Sequence, residues 1–73
     1  MVQAYILIQT EVGKARDVAA AIRDLAGVLR VDPVTGPYDV IVLAEARNID
    51  EFVNRIHLVP GITRQVICSV IHV

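Results

Sequence analysis

Apolar residues recur along this chain first with a period of two and then at helical spacing, and the changes of period mark out alternating strands and helices. Val2–Thr10 places Val2, Ala4, Ile6 and Ile8 on one face and Gln3, Tyr5, Leu7 and Gln9 on the other, which predicts a strand that is apolar on both sides at its middle. From Lys14 to Ala26, Ala15, Val18, Ala19, Ile22 and Leu25 fall at helical spacing while Lys14, Arg16, Asp17, Arg23 and Asp24 lie elsewhere around the axis. Gly27 is placed to end that helix as a left-handed cap. A second strand over Val28–Val34 stops near Pro33 and passes through Val34-Thr35-Gly36-Pro37 into a third over Tyr38–Ala46. Two strands joined so closely are expected to pair antiparallel.

Asn48-Ile49-Asp50-Glu51 has the form of a capping box, with Asn48 accepting from the third helical amide and Glu51 reaching back to the cap amide. The helix that follows should bury Ile49, Phe52, Val53 and Ile56 and run until Pro60-Gly61. The last strand, Ile62–Val73, alternates Val66, Cys68, Val70 and His72 against Ile67, Ser69, Ile71 and Val73, and is again apolar on both faces.

The two halves echo each other. Tyr5 to Gly27 spans 22 positions and Tyr38 to Gly61 spans 23, so each half reads strand, helix, glycine, strand in nearly the same register. Two such units predict an α+β, ferredoxin-like βαββαβ fold, a four-stranded antiparallel sheet with two helices on one face. Each helix has one apolar stripe, enough for one side of the sheet, yet Ile41 and Leu43 alternate with Val40 and Val42. A second apolar surface is left over. At ~25 cal/mol per Å², covering ~600 Å² on each of two partners is worth a gross ~30 kcal/mol before large association costs. Face-to-face dimerisation into a dimeric α/β-barrel is therefore expected.

Composition narrows the functional classes. The 73 residues, 55% apolar and 21% charged, are one domain (residues 1–73), too apolar for disorder and too short for two cores. A chain this small draws roughly 3–5 kcal/mol from its own core and usually adds a disulfide, a metal or a partner chain. Cys68 is the only cysteine, which excludes an internal disulfide and fits a reducing cytoplasm. With His57 and His72 it makes too small a set for a dedicated zinc site, and no cofactor is expected. The net charge is −1, and the seven basic residues are scattered, which argues against direct nucleic-acid binding. No apolar run exceeds five residues, so neither a signal peptide nor a membrane span is expected.

The most unusual local sequence is Thr35-Gly36-Pro37-Tyr38-Asp39. Gly36 lets a backbone amide approach a carboxylate, Asp39 offers an acceptor to an ammonium group, and the Tyr38 ring can wall one side. The plainer reading, which the residues alone favour, is a turn with a solvated Asp39 and a core Tyr38. Pro60-Gly61-Ile62-Thr63-Arg64-Gln65 is the equivalent join in the second half, and strand alternation puts Thr63 and Gln65 on one face, where hydroxyl and amide would complete a polar pocket. Here too the plainer reading is a helix stop and a frayed strand end. Cys68 and His72 are about 13 Å apart at strand rise, too far to grip one metal, and both read as structural. His57 reads as a solvated histidine. No nucleophile has a credible base and no phosphate loop is present, so catalysis finds little support.

These residues, AYILIQTEVGKARDVAAAI, VTGPYDVIVLAEARNIDEF, PGITR and CSVIHV, resemble the ligand-binding (RAM) domain of the Lrp/AsnC regulators of transcription, in a stand-alone form, over essentially the whole chain. The resemblance implies a dimeric α/β-barrel whose dimers assemble further, with an amino acid or related effector bound in clefts between dimers. It implies ligand contacts at Gly36, Pro37, Tyr38 and Asp39 and, from the last strand, at Thr63 and Gln65. Regulators of this type carry an N-terminal helix-turn-helix, and none precedes Val2, so the expectation is a module without direct DNA binding, joining full-length relatives in mixed assemblies. Gln65 and Ile67 stand where such domains commonly have threonine, and the second helix is about a turn short. Two other readings compete. One is a small dimeric α/β-barrel enzyme of oxygenase or isomerase type, which needs a cavity of ~300 Å³ between sheet and helices lined by two of Tyr5, Gln9, Asp39 and His72. The other is a purely structural oligomerisation module, for which replacing Asp39 by Ala would change nothing measurable.

Overall fold

The alternating segments form strands and the helical-period segments form helices, in the order β1 (Val2–Thr10), α1 (Ala15–Arg23), β2 (Val28–Pro33), β3 (Val40–Ala46), α2 (Ile49–Ile56) and β4 (Ile62–Ser69). The computed structural model describes residues 1–72. The sheet order is β2-β3-β1-β4 with every neighbouring pair antiparallel, so the two strand–helix–strand units interleave as the internal echo predicts. This is the ferredoxin-like βαββαβ arrangement.

One face of the sheet meets both helices. Val31, Val42 and Ile6 stand in line across β2, β3 and β1, with Ala44 beside Ala4 and Val40 beside Ile8 in the neighbouring rows. They pack with Val18, Ala19 and Ile22 of α1 and Phe52 and Ile56 of α2 into one apolar cluster. Ala4, Ile6, Ile8, Val40, Val42 and Ala44 are all at 0% exposure. No polar or charged residue is buried as a whole among the described residues, so the apolar cluster itself holds no polar side chain that needs a partner.

The other face carries no cover in the chain. Arg30, Leu43, Tyr5 and Cys68 form one row across all four strands, and Asp32, Ile41, Leu7 and Val66 form the next. Polar rows close this apolar patch at both ends. On one side the Gln3 amide donates to Glu45 Oε2 at 3.0 Å. On the other, Gln9 pairs with Arg64. At the β2 edge Arg30 Nε bonds Asp32 Oδ2 at 2.7 Å, and both side chains are largely in water.

Several element ends differ from the sequence-based expectation; β3 begins at Val40 instead of Tyr38, and β2 ends at Pro33, one residue early. Helix α1 stops at Arg23 instead of Ala26: Leu25 N–H turns back to Ile22 O at 3.0 Å and Val28 N–H to Leu25 O at 3.4 Å, single-turn bonds that replace the helical ladder, and Gly27 falls beyond the helix end. Gly27 lies at φ +93°, and a Cβ there would sit 2.7 Å from the Glu45 carbonyl oxygen, so the glycine lets the start of β2 press against β3. Its own carbonyl accepts from Glu45 N–H at 2.8 Å. Helix α2 is capped by Asn48, whose Oδ1 accepts from Asp50 N at 3.0 Å and Glu51 N at 3.4 Å. The return bond expected from a full capping box is absent among the described residues. That helix ends at Ile56, and single-turn bonds from Leu58 N to Arg55 O and from Val59 N to Ile56 O carry the chain to Pro60. Strand β4 ends at Ser69, short of the expected limit; Val73 lies outside the described residues.

Candidate functional site

The turn between β2 and β3 is built around the C-terminal end of β1. Gly36 lies at φ +130°, a backbone conformation that favours glycine, and nothing stands within 4 Å of where its Cβ would be. Gly36 and Pro37 are exposed, whereas Tyr38 and Asp39 are partly buried. Asp39 N–H donates to Ile8 O at 2.8 Å and Asp39 O accepts from Val34 N–H at 2.8 Å, which closes the turn against β1. The Asp39 carboxylate is also engaged: Oδ2 accepts from Thr10 N–H at 2.8 Å and lies 3.4 Å from Thr10 Oγ1. Asp39 is therefore not the freely solvated residue of the plainer reading. Its second oxygen, Oδ1, accepts nothing among the described residues.

The opening of β4 reaches the same end of β1 from the opposite side. Between the pairs Gln9–Arg64 and Thr10–Ile62 the register shifts, so β4 advances two residues while β1 advances one. Thr63 is the extra residue, and its Oγ1 donates to Gln9 O at 3.2 Å. Gln9 turns its side chain the other way, donating from Nε2 to Pro37 O at 3.0 Å. Pro37, Asp39 and Thr63 thus converge on two adjacent residues of β1, Gln9 and Thr10, which the sequence reading did not place among the site residues.

Gln65 does not join them. It pairs with Ile8 and so lies on the helix-covered side of the sheet, with its amide nitrogen 3.0 Å from both ring nitrogens of His57 at the end of α2. The expectation that Thr63 and Gln65 share one face is corrected by the bulge, which turns Thr63 toward the β1 backbone. Gln65 Oε1 is buried without a partner among the described residues, so this amide has a hydrogen-bond acceptor that meets no donor.

The hollows near these segments are walled by their neighbours. One of ≈ 460 Å³ beside the β2–β3 turn is lined by Ala15, Arg16, Pro33, Val34 and Thr35. Another, ≈ 320 Å³, beside the start of β4, is lined by Glu11, Lys14, Asp17, Pro60 and Gly61. Arg16 and Lys14 bring cations to these walls, a feature that helical periodicity alone assigned to a solvated face. A depression of ≈ 270 Å³ lined by Tyr5, Arg30, Asp32, Ile41 and Leu43 opens on the uncovered sheet face and not between sheet and helices. No group of three or more His, Cys, Asp or Glu side chains suited to a metal occurs among the described residues, and Cys68 is a free, exposed thiol. No helix in the described residues is long and apolar enough to cross a membrane.

Comparison with known proteins places this geometry. The family model described as the Lrp/AsnC ligand binding domain matches residues 3–72. A hypothetical protein from Pyrococcus horikoshii superposes with a TM-score of 0.90 at 32% identity, covering 99% of this chain and 92% of its own. A protein from Thermus thermophilus superposes with a TM-score of 0.89 at 26% identity, covering 100% and 96%. A Neisseria meningitidis transcriptional regulator, solved as a complex with L-Met, shares the fold with a TM-score of 0.79 at 22% identity; the match covers 97% of this chain and 50% of that regulator. No curated protein sequence gives a significant match.

Proposed function

The chain belongs to the Lrp/AsnC ligand binding domain family, and from that premise we propose that it is a non-catalytic module that senses a small effector and reports it through assembly. The effector is an amino acid or a closely related molecule, held between dimers by Gly36, Pro37, Tyr38 and Asp39 together with Thr63, while Gln65 stays with His57 on the helix-covered side and acts at most by supporting the start of β4. The observation that carries this reading is the convergence of the β2–β3 turn and the β4 opening on Gln9 and Thr10, with Asp39 Oδ1 left open to a donor. The L-Met complex of the Neisseria meningitidis regulator supports the ligand class.

The walls around this end of the molecule are open to solvent in a single chain, and a neighbouring dimer would close them. A ligand shared across such a cleft stabilises whichever assembly forms it, by mass action. The uncovered patch of Tyr5, Leu7, Ile41 and Leu43, from two neighbouring rows, supplies the dimer contact on which the higher assembly is built. Partners are thus a second copy, further dimers and full-length Lrp/AsnC regulators in mixed assemblies, in the cytoplasm, with no direct contact to nucleic acid or membrane. The apolar lining between sheet and helices, from Ile6, Val42, Ile22 and Phe52, supports the non-catalytic reading over an oxygenase or isomerase with a polar cavity there.

Isothermal titration against the proteinogenic amino acids, with light scattering in parallel, tests the proposal. Saturable heat with at least one of them, weakened at least tenfold by Asp39→Ala, and a change of assembly on binding are expected. No heat with any, and an assembly that ignores them all, would remove the effector role and leave a structural oligomerisation module.

A further inference from the structure

Two walls of the site come from segments more than twenty residues apart in sequence, and each bonds to Gln9. The Gln9 side chain holds Pro37 O at 3.0 Å, and its backbone carbonyl receives the Thr63 hydroxyl at 3.2 Å. Next to it, Thr10 fixes one oxygen of Asp39 with its amide at 2.8 Å and leaves the other free. We propose that Gln9 and Thr10 are positioning residues: Gln9 is a latch that holds the Gly36–Pro37 turn in register with the β4 opening, and Thr10 orients Asp39 so that Oδ1 faces the ligand's donor.

The assignment follows from how little else holds the turn. Gly36 has no neighbour within 4 Å of its Cβ position, so the loop has no packing there to restrain it. Pro37 has no amide of its own and contributes only its carbonyl, which Gln9 takes. The turn's other ties all run through Asp39: its N–H to Ile8 O, its carbonyl from Val34 N–H and its carboxylate from Thr10 N–H. A partly buried Gln9 amide is thus the one side chain among the described residues that ties the exposed part of the turn to the sheet. Because the same residue accepts from Thr63, displacement of one wall is transmitted to the other through β1. This rests on the proposed ligand-binding role of the turn, but the latch itself is measurable without any ligand.

Gln9→Met keeps the length of the side chain and its backbone carbonyl and removes the carboxamide, whose Nε2 donor makes the bond to Pro37 O. Gln9→Lys restores a donor of similar reach. Amide hydrogen exchange of the intact chain should show the Val34 and Asp39 amides exchanging roughly three- to tenfold faster in Gln9→Met, the factor that one net hydrogen bond corresponds to. Amides of Ile6 and Val42 should be unchanged, and Gln9→Lys should return Val34 and Asp39 toward the parent rate. Equal acceleration at all amides, or none at Val34 and Asp39, overturns the latch. Titration with L-leucine and L-methionine then gives the second arm. Weaker binding in Gln9→Met at unchanged thermal midpoint is the expected result, and undiminished affinity for a ligand that binds the parent overturns the positioning role. If neither amino acid binds the parent, the effector reading is what suffers, while the exchange result still decides the latch.

Discussion

The two faces of the sheet are written in almost the same alphabet and meet opposite fates. Ile6, Ile8, Val40 and Val42 face the helices and are fully buried, while Leu7, Ile41 and Leu43, one residue away along the same strands, remain partly in water, and Tyr5 is 46% exposed. The difference does not lie in the hydrophobicity of the strands. It lies in the number of helical stripes available, which is two, enough to pave one side. The covered face shows what holds the chain together, and the uncovered face is the surface that the proposed second copy would cover.

The largest effect should come from breaking the covered face. Phe52 is the largest fully buried side chain, and Phe52→Ala leaves a cavity costing about 3–5 kcal/mol, comparable with everything a core of this size supplies. Denaturant unfolding should find the variant largely unfolded in water. The same logic sets a different outcome for the open face: Leu43→Lys should leave the cooperative unfolding of the dilute chain nearly unchanged and raise the dimer dissociation constant about thirtyfold or more, as loss of a central contact residue does. A Leu43→Lys chain that unfolds instead would erase the distinction between the faces. The smallest of the three is at the helix that does the covering. Asn48→Ala removes the cap on the first amides of α2 and should lower stability by ~1 kcal/mol in thermal or denaturant unfolding, with assembly unaffected once folded.

The faces were legible from sequence because strand alternation fixes them two residues at a time, and a one-residue error would have put Tyr5 and Arg30 in the core. The ends of elements were less so. Amphipathic spacing continues through Leu25, which packs against the core from a turn, so periodicity ran past the last helical hydrogen bond at α1. Gly27 was visible as a special position, but its role in letting β2 approach Glu45 depends on a residue eighteen positions later. At the site, the Gly-Pro-Tyr-Asp turn and the Pro-Gly start of β4 stood out as segments. What could not be read was the bulge at Thr63, which separates Thr63 from Gln65, or the part played by Gln9 and Thr10, which look like ordinary strand residues until their partners arrive from the β2–β3 turn and β4.

The central claim is that the second apolar face is covered by another copy of the chain. Sedimentation velocity of the purified protein over a dilution series from high to low micromolar tests it most directly. A species of at least twice the chain mass is expected throughout that range, shifting to the single-chain mass in Leu43→Lys at the same concentrations. A well-behaved single chain of 8.0 kDa at every concentration would contradict it.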